Sequence, residues 1–179
     1  MKQSRTLVIK SVDTSVFQAK AAVGFSLLAM LLPFILHLLP NPSGYPIGAK
    51  LIPLFYAPFI AVLFFRFPIA LAIGIFAPLA NFLFIGQPSF PSLIQLGLEI
   101  TGFICLSHLL KNYKGIRWVN APFSFIGAKM GVWGLFTALS SVFPGIDPPA
   151  YFETTVAFAA PGLFILWALN LAMLSFKTH

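Results

Sequence analysis

The chain has 179 residues, of which 59% are hydrophobic and only 8% are charged, whereas a soluble globular domain carries roughly 25% charged residues. A mean hydropathy of +0.93 argues against a soluble fold, because a chain of this length could not bury that much apolar surface. The net charge of +7 does not indicate nucleic-acid binding, since the basic residues are spread over short loops and chain ends and form no stripe. We therefore predict an all-α integral membrane protein with a single domain over residues 1–179.

The first 18 residues, MKQSRTLVIKSVDTSVFQ, precede the apolar part of the chain. They lack a short apolar stretch followed by a small-residue cleavage site, so we interpret them as a cytoplasmic leader and not as a removed signal peptide. Six apolar segments of spanning or near-spanning length follow. These segments cover residues 19–40, 49–66, 68–86, 92–111, 118–142 and 154–176. The sequence thus predicts six transmembrane helices.

The second and third segments are short, contain several prolines and are separated only by Arg66, Phe67 and Pro68. Proline breaks are tolerated in membrane helices where neighbouring helices or cavity water satisfy the freed carbonyl groups. Short, interrupted segments of this kind predict tilted or broken helices around a cavity.

The basic residues predict the orientation of the chain in the membrane. On one side lie Lys2, Arg5, Lys10, Lys20, Arg66, Lys111, Lys114, Arg117 and Lys177. The opposite loops, NPSGYPIGAK, GQPSFPS and FPGIDPPAYFE, contain only Lys50 as a basic residue. Because positive charge is retained on the cytoplasmic side, we predict that both termini are cytoplasmic.

Two polar stripes interrupt the apolar segments. In LIQLGLEITGFI, Gln95 and Glu99 lie four residues apart and therefore on one helix face. In the fifth segment Lys129, Trp133, Thr137 and Ser140 follow at helical spacing. A carboxylate at this depth is unfavourable unless it is paired, protonated or hydrated. We predict that Glu99 and Lys129 neutralise each other, or that each contacts a polar ligand in a hydrated pocket; a purely structural ion pair is the alternative.

Further polar residues are candidate ligand contacts, each with a structural alternative. Lys50 is either an interfacial lysine that extends to the surface or a ligand contact together with Tyr45 of the same outer loop. Asn81 follows Pro78 by three residues and either caps the disturbed backbone or binds the ligand. Gln87 lies in the next outer loop. Trp133, one turn above Lys129, is either a packing aromatic or a wall of the pocket.

Residues for catalysis or metal binding do not form a recognisable pattern. The sequence contains no HExxH motif, no serine elbow and no close pair of carboxylates. His37 and His108 are isolated, and the single cysteine, Cys105, excludes an intramolecular disulfide and a cysteine-cluster metal site. We expect no catalytic residue, no metal and no cofactor.

Small residues recur at four-residue spacing in the pairs Ala22/Ser26, Ala57/Ala61 and Ala168/Ala172. Such pairs allow two helices to approach closely, either inside the bundle or against another membrane protein.

The stretch LLPNPSGYPIGAKLIPLFYAPFIAVLFF (38–65), followed by FPIALAIGIFAPLANFLF (67–84), resembles the substrate-binding S-component of an energy-coupling-factor vitamin transporter. The resemblance implies a six-helix protein of a bacterial or archaeal plasma membrane that captures a water-soluble vitamin or related micronutrient from outside. It also implies docking on a transmembrane coupling subunit driven by two cytoplasmic ATPases. By this resemblance Glu99, Gln95, Lys129 and Trp133 would line the ligand pocket.

The docking surface of that family carries an Ala-x-x-x-Ala pattern on the first helix. The nearest match in this chain is Ala22-Val-Gly-Phe-Ser26, in which serine replaces the second alanine, and Ala57/Ala61 is a rival site. Two other functions stay open: a small membrane enzyme acting on a lipid or prenyl substrate, and an assembly subunit in which Glu99 and Lys129 pair without a cavity. An enzyme would be expected to show a catalytic grouping at one depth.

Overall fold

A computed structural model describes residues 19–33, 35–36, 47–86, 89–139, 156 and 158–177. Every regular element in these ranges is helical. In chain order they are α1 (Ala19–Pro33), α2 (Ile47–Leu51), α3 (Tyr56–Phe64), α4 (Phe67–Ile85), α5 (Phe90–Leu110), α6 (Asn120–Ala138) and α7 (Ala160–Lys177). Two 3-10 helices, Pro53–Phe55 and Arg117–Val119, lead into α3 and α6. With α2 and α3 counted as one interrupted helix, the predicted all-helical fold and its six helices are confirmed for the described part of the chain.

The predicted break in the second helix lies at Ile52, between α2 and the first 3-10 helix. Ile52 has φ 45° and ψ 44°, the left-handed region that a β-branched residue rarely adopts. The following residue is Pro53, which disfavours the ordinary helical conformation at Ile52. The hydroxyl of Tyr56 donates a hydrogen bond to the Leu51 carbonyl, so a side chain satisfies one carbonyl group that the break leaves without a helical partner.

The third helix does not break. The prolines of this segment predict a tilted or broken helix, and the second of these alternatives does not occur, because α4 continues through Pro78 from Phe67 to Ile85. It ends at Gly86, whose φ of 72° is accessible to glycine without strain and whose N–H bonds the Phe82 carbonyl. The connection to α5 is short, so the two helices run antiparallel. The lack of a side chain at Gly74 lets α4 approach α5 closely, because a Cβ there would lie 2.8 Å from Ile100.

The core is built from aromatic rings and small residues. Phe55 makes edge-to-face contacts with Phe103 of α5 and Phe125 of α6, with ring centroids 5.2 and 4.8 Å apart, a favourable geometry for buried rings. A second cluster joins Ala29, Ala57 and Ala77 of α1, α3 and α4, all fully buried.

This burial corrects the docking role predicted for Ala57 and Ala61. Both side chains are fully buried inside the fold, so a partner cannot reach them. Their four-residue spacing serves close packing within the bundle, the first of the two meanings that such spacing has.

Two helices of the described part are long and apolar enough to cross a membrane, Phe67–Phe84 and Phe90–Leu110. Shorter apolar helices cover Ala19–Pro33, Pro53–Phe64 and Ala160–Ser175.

Candidate ligand-binding site

The antiparallel pair α5 and α6 brings the two polar stripes together. Gly102 lies close to Ala128, since a Cβ on Gly102 would be 3.4 Å from the Ala128 Cβ. Small residues at this contact let the helix axes approach. The close contact is one turn from Glu99 on α5 and directly beside Lys129 on α6.

Glu99 and Lys129 form an ion pair in the protein interior. Lys129 Nζ donates to Glu99 Oε2 at 2.5 Å, and Gln95 Nε2 donates to the other oxygen, Oε1, at 3.1 Å. The two charged residues are only 1% and 7% exposed. Lys129 Nζ also lies 5.5 Å from the centroid of the Phe125 ring, whose face attracts a cation. The predicted contact between the acid and the base is therefore confirmed, whereas its role in ligand binding stays a prediction.

The polar side chains become more exposed from Glu99 and Lys129 towards one end of α5 and α6. In the predicted orientation this end faces the outside of the cell. Gln95, one turn from Glu99, is partly buried. Trp133, one turn from Lys129, is 37% exposed, and Thr137 beyond it is exposed and donates to the Trp133 carbonyl at 2.9 Å. The polar stripe thus connects a fully buried ion pair with the protein surface.

Asn81 adds a buried polar group at a similar depth. Gly74 packs against Ile100 and Ile104, and Asn81 lies seven residues, or about 10 Å, further along α4. Since α5 runs antiparallel to α4, Asn81 lies at about the same height in the bundle as Gln95. The Asn81 side chain is 8% exposed, and its Oδ1 has no hydrogen-bond partner among the described residues. A buried acceptor without a partner is unfavourable, so this oxygen is a candidate contact for a ligand N–H or O–H group.

The remaining predicted contacts are only partly described. Lys50 is partly buried in the last turn of α2, directly before the break at Ile52. Tyr45, Gln87 and Ser140, together with the predicted outer loops 41–46 and 140–155, lie outside the described residues.

A second polar network at the opposite end of α5 and α6 was not predicted. Asn120 Nδ2 donates to the Ser107 carbonyl at 3.1 Å, and Ser124 Oγ donates to Asn120 Oδ1 at 3.0 Å. Asn170 of α7 donates to the Arg117 and Trp118 carbonyls at 3.0 and 2.8 Å. The signal available in the sequence is a single amide within an apolar run, ILWALNLAML. These groups bond one another and the backbone, so we assign them a structural role.

Within the described residues no three His, Cys, Asp or Glu side chains come together. The comparisons with known proteins give no match: no family model matches the chain, and neither a curated protein nor a solved structure matches it.

Proposed function

We propose that this protein is the membrane-embedded capture subunit of an uptake system for a small, polar, water-soluble vitamin or related micronutrient. It crosses the plasma membrane of a bacterial or archaeal cell with six helices and keeps both termini in the cytoplasm. It performs no chemistry on its ligand. The observation that carries the proposal is the buried group of Gln95, Glu99 and Lys129, which continues outward into an exposed polar stripe.

The distribution of apolar side chains supports the membrane location. Large apolar residues cover the outside of the bundle, among them Leu83, Phe84, Phe90, Leu109 and Phe164. Monomeric soluble proteins rarely expose contiguous apolar patches of more than a few hundred Å². The one acidic residue in the described ranges, Glu99, is buried. An apolar exterior around charged groups that face inward is the arrangement expected in lipid.

Energetics favours a ligand role for the pair over a purely structural one. Taking two charges out of water carries a large desolvation penalty, and well-packed apolar residues of similar volume often serve stability equally well or better. Ionisable groups within a membrane bundle commonly mark a substrate or ion pathway. An acid, a base and two amides from three neighbouring helices suit a ligand that carries both hydrogen-bond donors and acceptors.

Uptake in this proposal requires a transmembrane coupling subunit driven by cytoplasmic ATPases, as in the transporters that the sequence resembles. Ala22 and Ser26 support this part, because both are partly buried and line a groove that opens to the outside of the bundle. A substitution such as Ser26→Trp is expected to abolish uptake and to leave ligand binding intact. Equal loss of both in a folded variant would argue against a separate docking surface.

Purification of the full chain in mild detergent tests the proposal. Mass spectrometry of the small molecules released on denaturation should detect one polar compound in stoichiometric amount, and membrane extracts should yield ATPase subunits with the protein. A lone protein that turns over lipid would support the enzyme alternative. The direct contact between Glu99 and Lys129 favours one further candidate, an assembly subunit, which would purify with protein partners and without any small molecule.

A further inference from the structure

An apolar groove separates α1 from α4 on the outside of the bundle. Its volume is about 440 Å³. It is lined by Ala22, Val23, Ser26, Leu27, Pro68, Ile69, Ala72, Ile73 and Phe76. Ser26 is the one polar residue among them, so the groove suits an apolar occupant and offers little to a polar one.

The two helices that line the groove start at the same end of the bundle. Phe25 of α1 packs edge-to-face on Phe65, in the connection between α3 and α4, with ring centroids 5.7 Å apart. One turn further along α1, Ala29 packs with Ala77 of α4. Both helices therefore run away from this connection, and the groove has one end at the beginnings of α1 and α4.

Two cations flank that end of the groove. Lys20 lies two residues before Ala22, and Arg66 lies two residues before Pro68. Both side chains are exposed. Glu99, the only acidic residue of the described ranges, is buried in its pair with Lys129. Positive charge at the mouth of an apolar groove is complementary to a molecule with an anionic head and a hydrocarbon tail.

We propose that the groove binds one anionic phospholipid, with an acyl chain between α1 and α4 and the phosphate beside Lys20 and Arg66. From Pro68 to Phe76 the wall rises about 12 Å along α4, which accommodates a large part of one acyl chain. The predicted orientation places both cations at the cytoplasmic leaflet, where anionic lipids give a negative surface potential. This inference depends on the membrane location proposed above, and it describes the protein before it docks on a partner.

Native mass spectrometry of the delipidated full chain tests the lipid site. The detergent solution contains equal amounts of phosphatidylglycerol and phosphatidylcholine with identical acyl chains. Wild-type protein should retain one phosphatidylglycerol preferentially, and Lys20→Gln with Arg66→Gln should weaken that preference on the order of tenfold. Lys114→Gln removes an exposed cation that does not line the groove and should change nothing.

A second variant tests the groove itself. Ala72→Phe places a ring in the groove without altering charge and should reduce retention of both lipids, whereas Ala168→Phe, on an exposed position of α7, should not. Equal retention of both lipids by wild type, an unchanged preference in the double variant, or full retention by Ala72→Phe would each overturn the lipid site. If the chain purifies without detergent, the membrane location fails as well; if it needs detergent and shows no lipid preference, only the lipid site fails.

Discussion

The Glu99 carboxylate is buried in the protein interior, where it pairs with Lys129. Both of its oxygens accept hydrogen bonds, from Gln95 and Lys129. The pairing could be predicted because helical spacing places each polar residue on one face and a short connection makes α5 and α6 antiparallel. The network around Asn120 and Asn170 could not be predicted, since it depends on which backbone carbonyl groups between α5, α6 and α7 are accessible to a side-chain donor.

Removing one member of the pair is expected to destabilise the protein. Lys129→Met leaves the Glu99 carboxylate buried without its cation, which typically costs about 3–5 kcal/mol. Glu99→Gln should have a similar effect, and the double variant should recover most of the loss. Thermal unfolding in detergent, followed by tryptophan fluorescence, measures these changes. Lys114→Met is the matched control at an exposed lysine, and a loss as large as that of Lys129→Met would contradict the account.

Asn170 is expected to stabilise the protein through its two bonds to the carbonyls of Arg117 and Trp118. Asn170→Leu leaves these carbonyls without that donor and should lower the free energy of unfolding by about 1–3 kcal/mol. The same unfolding assay measures the effect. Ala168→Leu, two residues away on an exposed position, is the control, and equal stability of the two variants would refute the role of Asn170.

The interrupted second helix has a break that the prolines predict and a backbone conformation that they do not predict. The prolines around Leu51 predict a break, but not the left-handed conformation of Ile52 or its support from α7. In α4 the prolines do not produce a break, since Pro78 lies in a helix that continues to Ile85. Whether a proline-containing helix breaks depends on how it packs against neighbouring helices. This packing cannot be read from the local sequence.

Gly162 at the start of α7 is expected to be essential for packing against the break. A Cβ there would lie 2.5 Å from Ile52 Cγ1 and 2.7 Å from the Leu51 carbonyl oxygen. Backbone cannot move aside as a side chain can, so Gly162→Ala should destabilise the protein by roughly 1–3 kcal/mol. Gly131→Ala is the control, since a Cβ at Gly131 would meet no described residue within 4 Å. This substitution should stabilise α6 by about 0.5–1 kcal/mol. Destabilisation by both variants alike would contradict this packing.

For the whole molecule, the side on which the proposed ligand site opens depends on the predicted orientation of the bundle in the membrane. The apolar exterior indicates a lipid environment but does not show which end of the bundle is cytoplasmic. The orientation is predicted from the basic residues, which the positive-inside rule assigns to the cytoplasmic side. With this predicted orientation, the proposed ligand site would open outward and the mouth of the α1–α4 groove would face the cytoplasmic leaflet.

Cysteine labelling tests the orientation. In a Cys105→Ser background, Ser89→Cys should react with a membrane-impermeant reagent applied to intact cells, because its exposed position belongs to a predicted outer loop. Lys114→Cys should react only after the membrane is permeabilised. Strong labelling of position 114 from outside would reverse the orientation.

We propose that Glu99 and Lys129 bind a small polar molecule and are not only a structural pair. The most direct measurement is the amount of small molecule that copurifies with Glu99→Gln/Lys129→Met, determined by mass spectrometry and compared with wild type at equal thermal stability. We expect the double variant to be folded and to have lost the molecule, because both charges that we propose to contact it are gone. A double variant that retains as much of the molecule as wild type would show that the charges are structural and would contradict the claim.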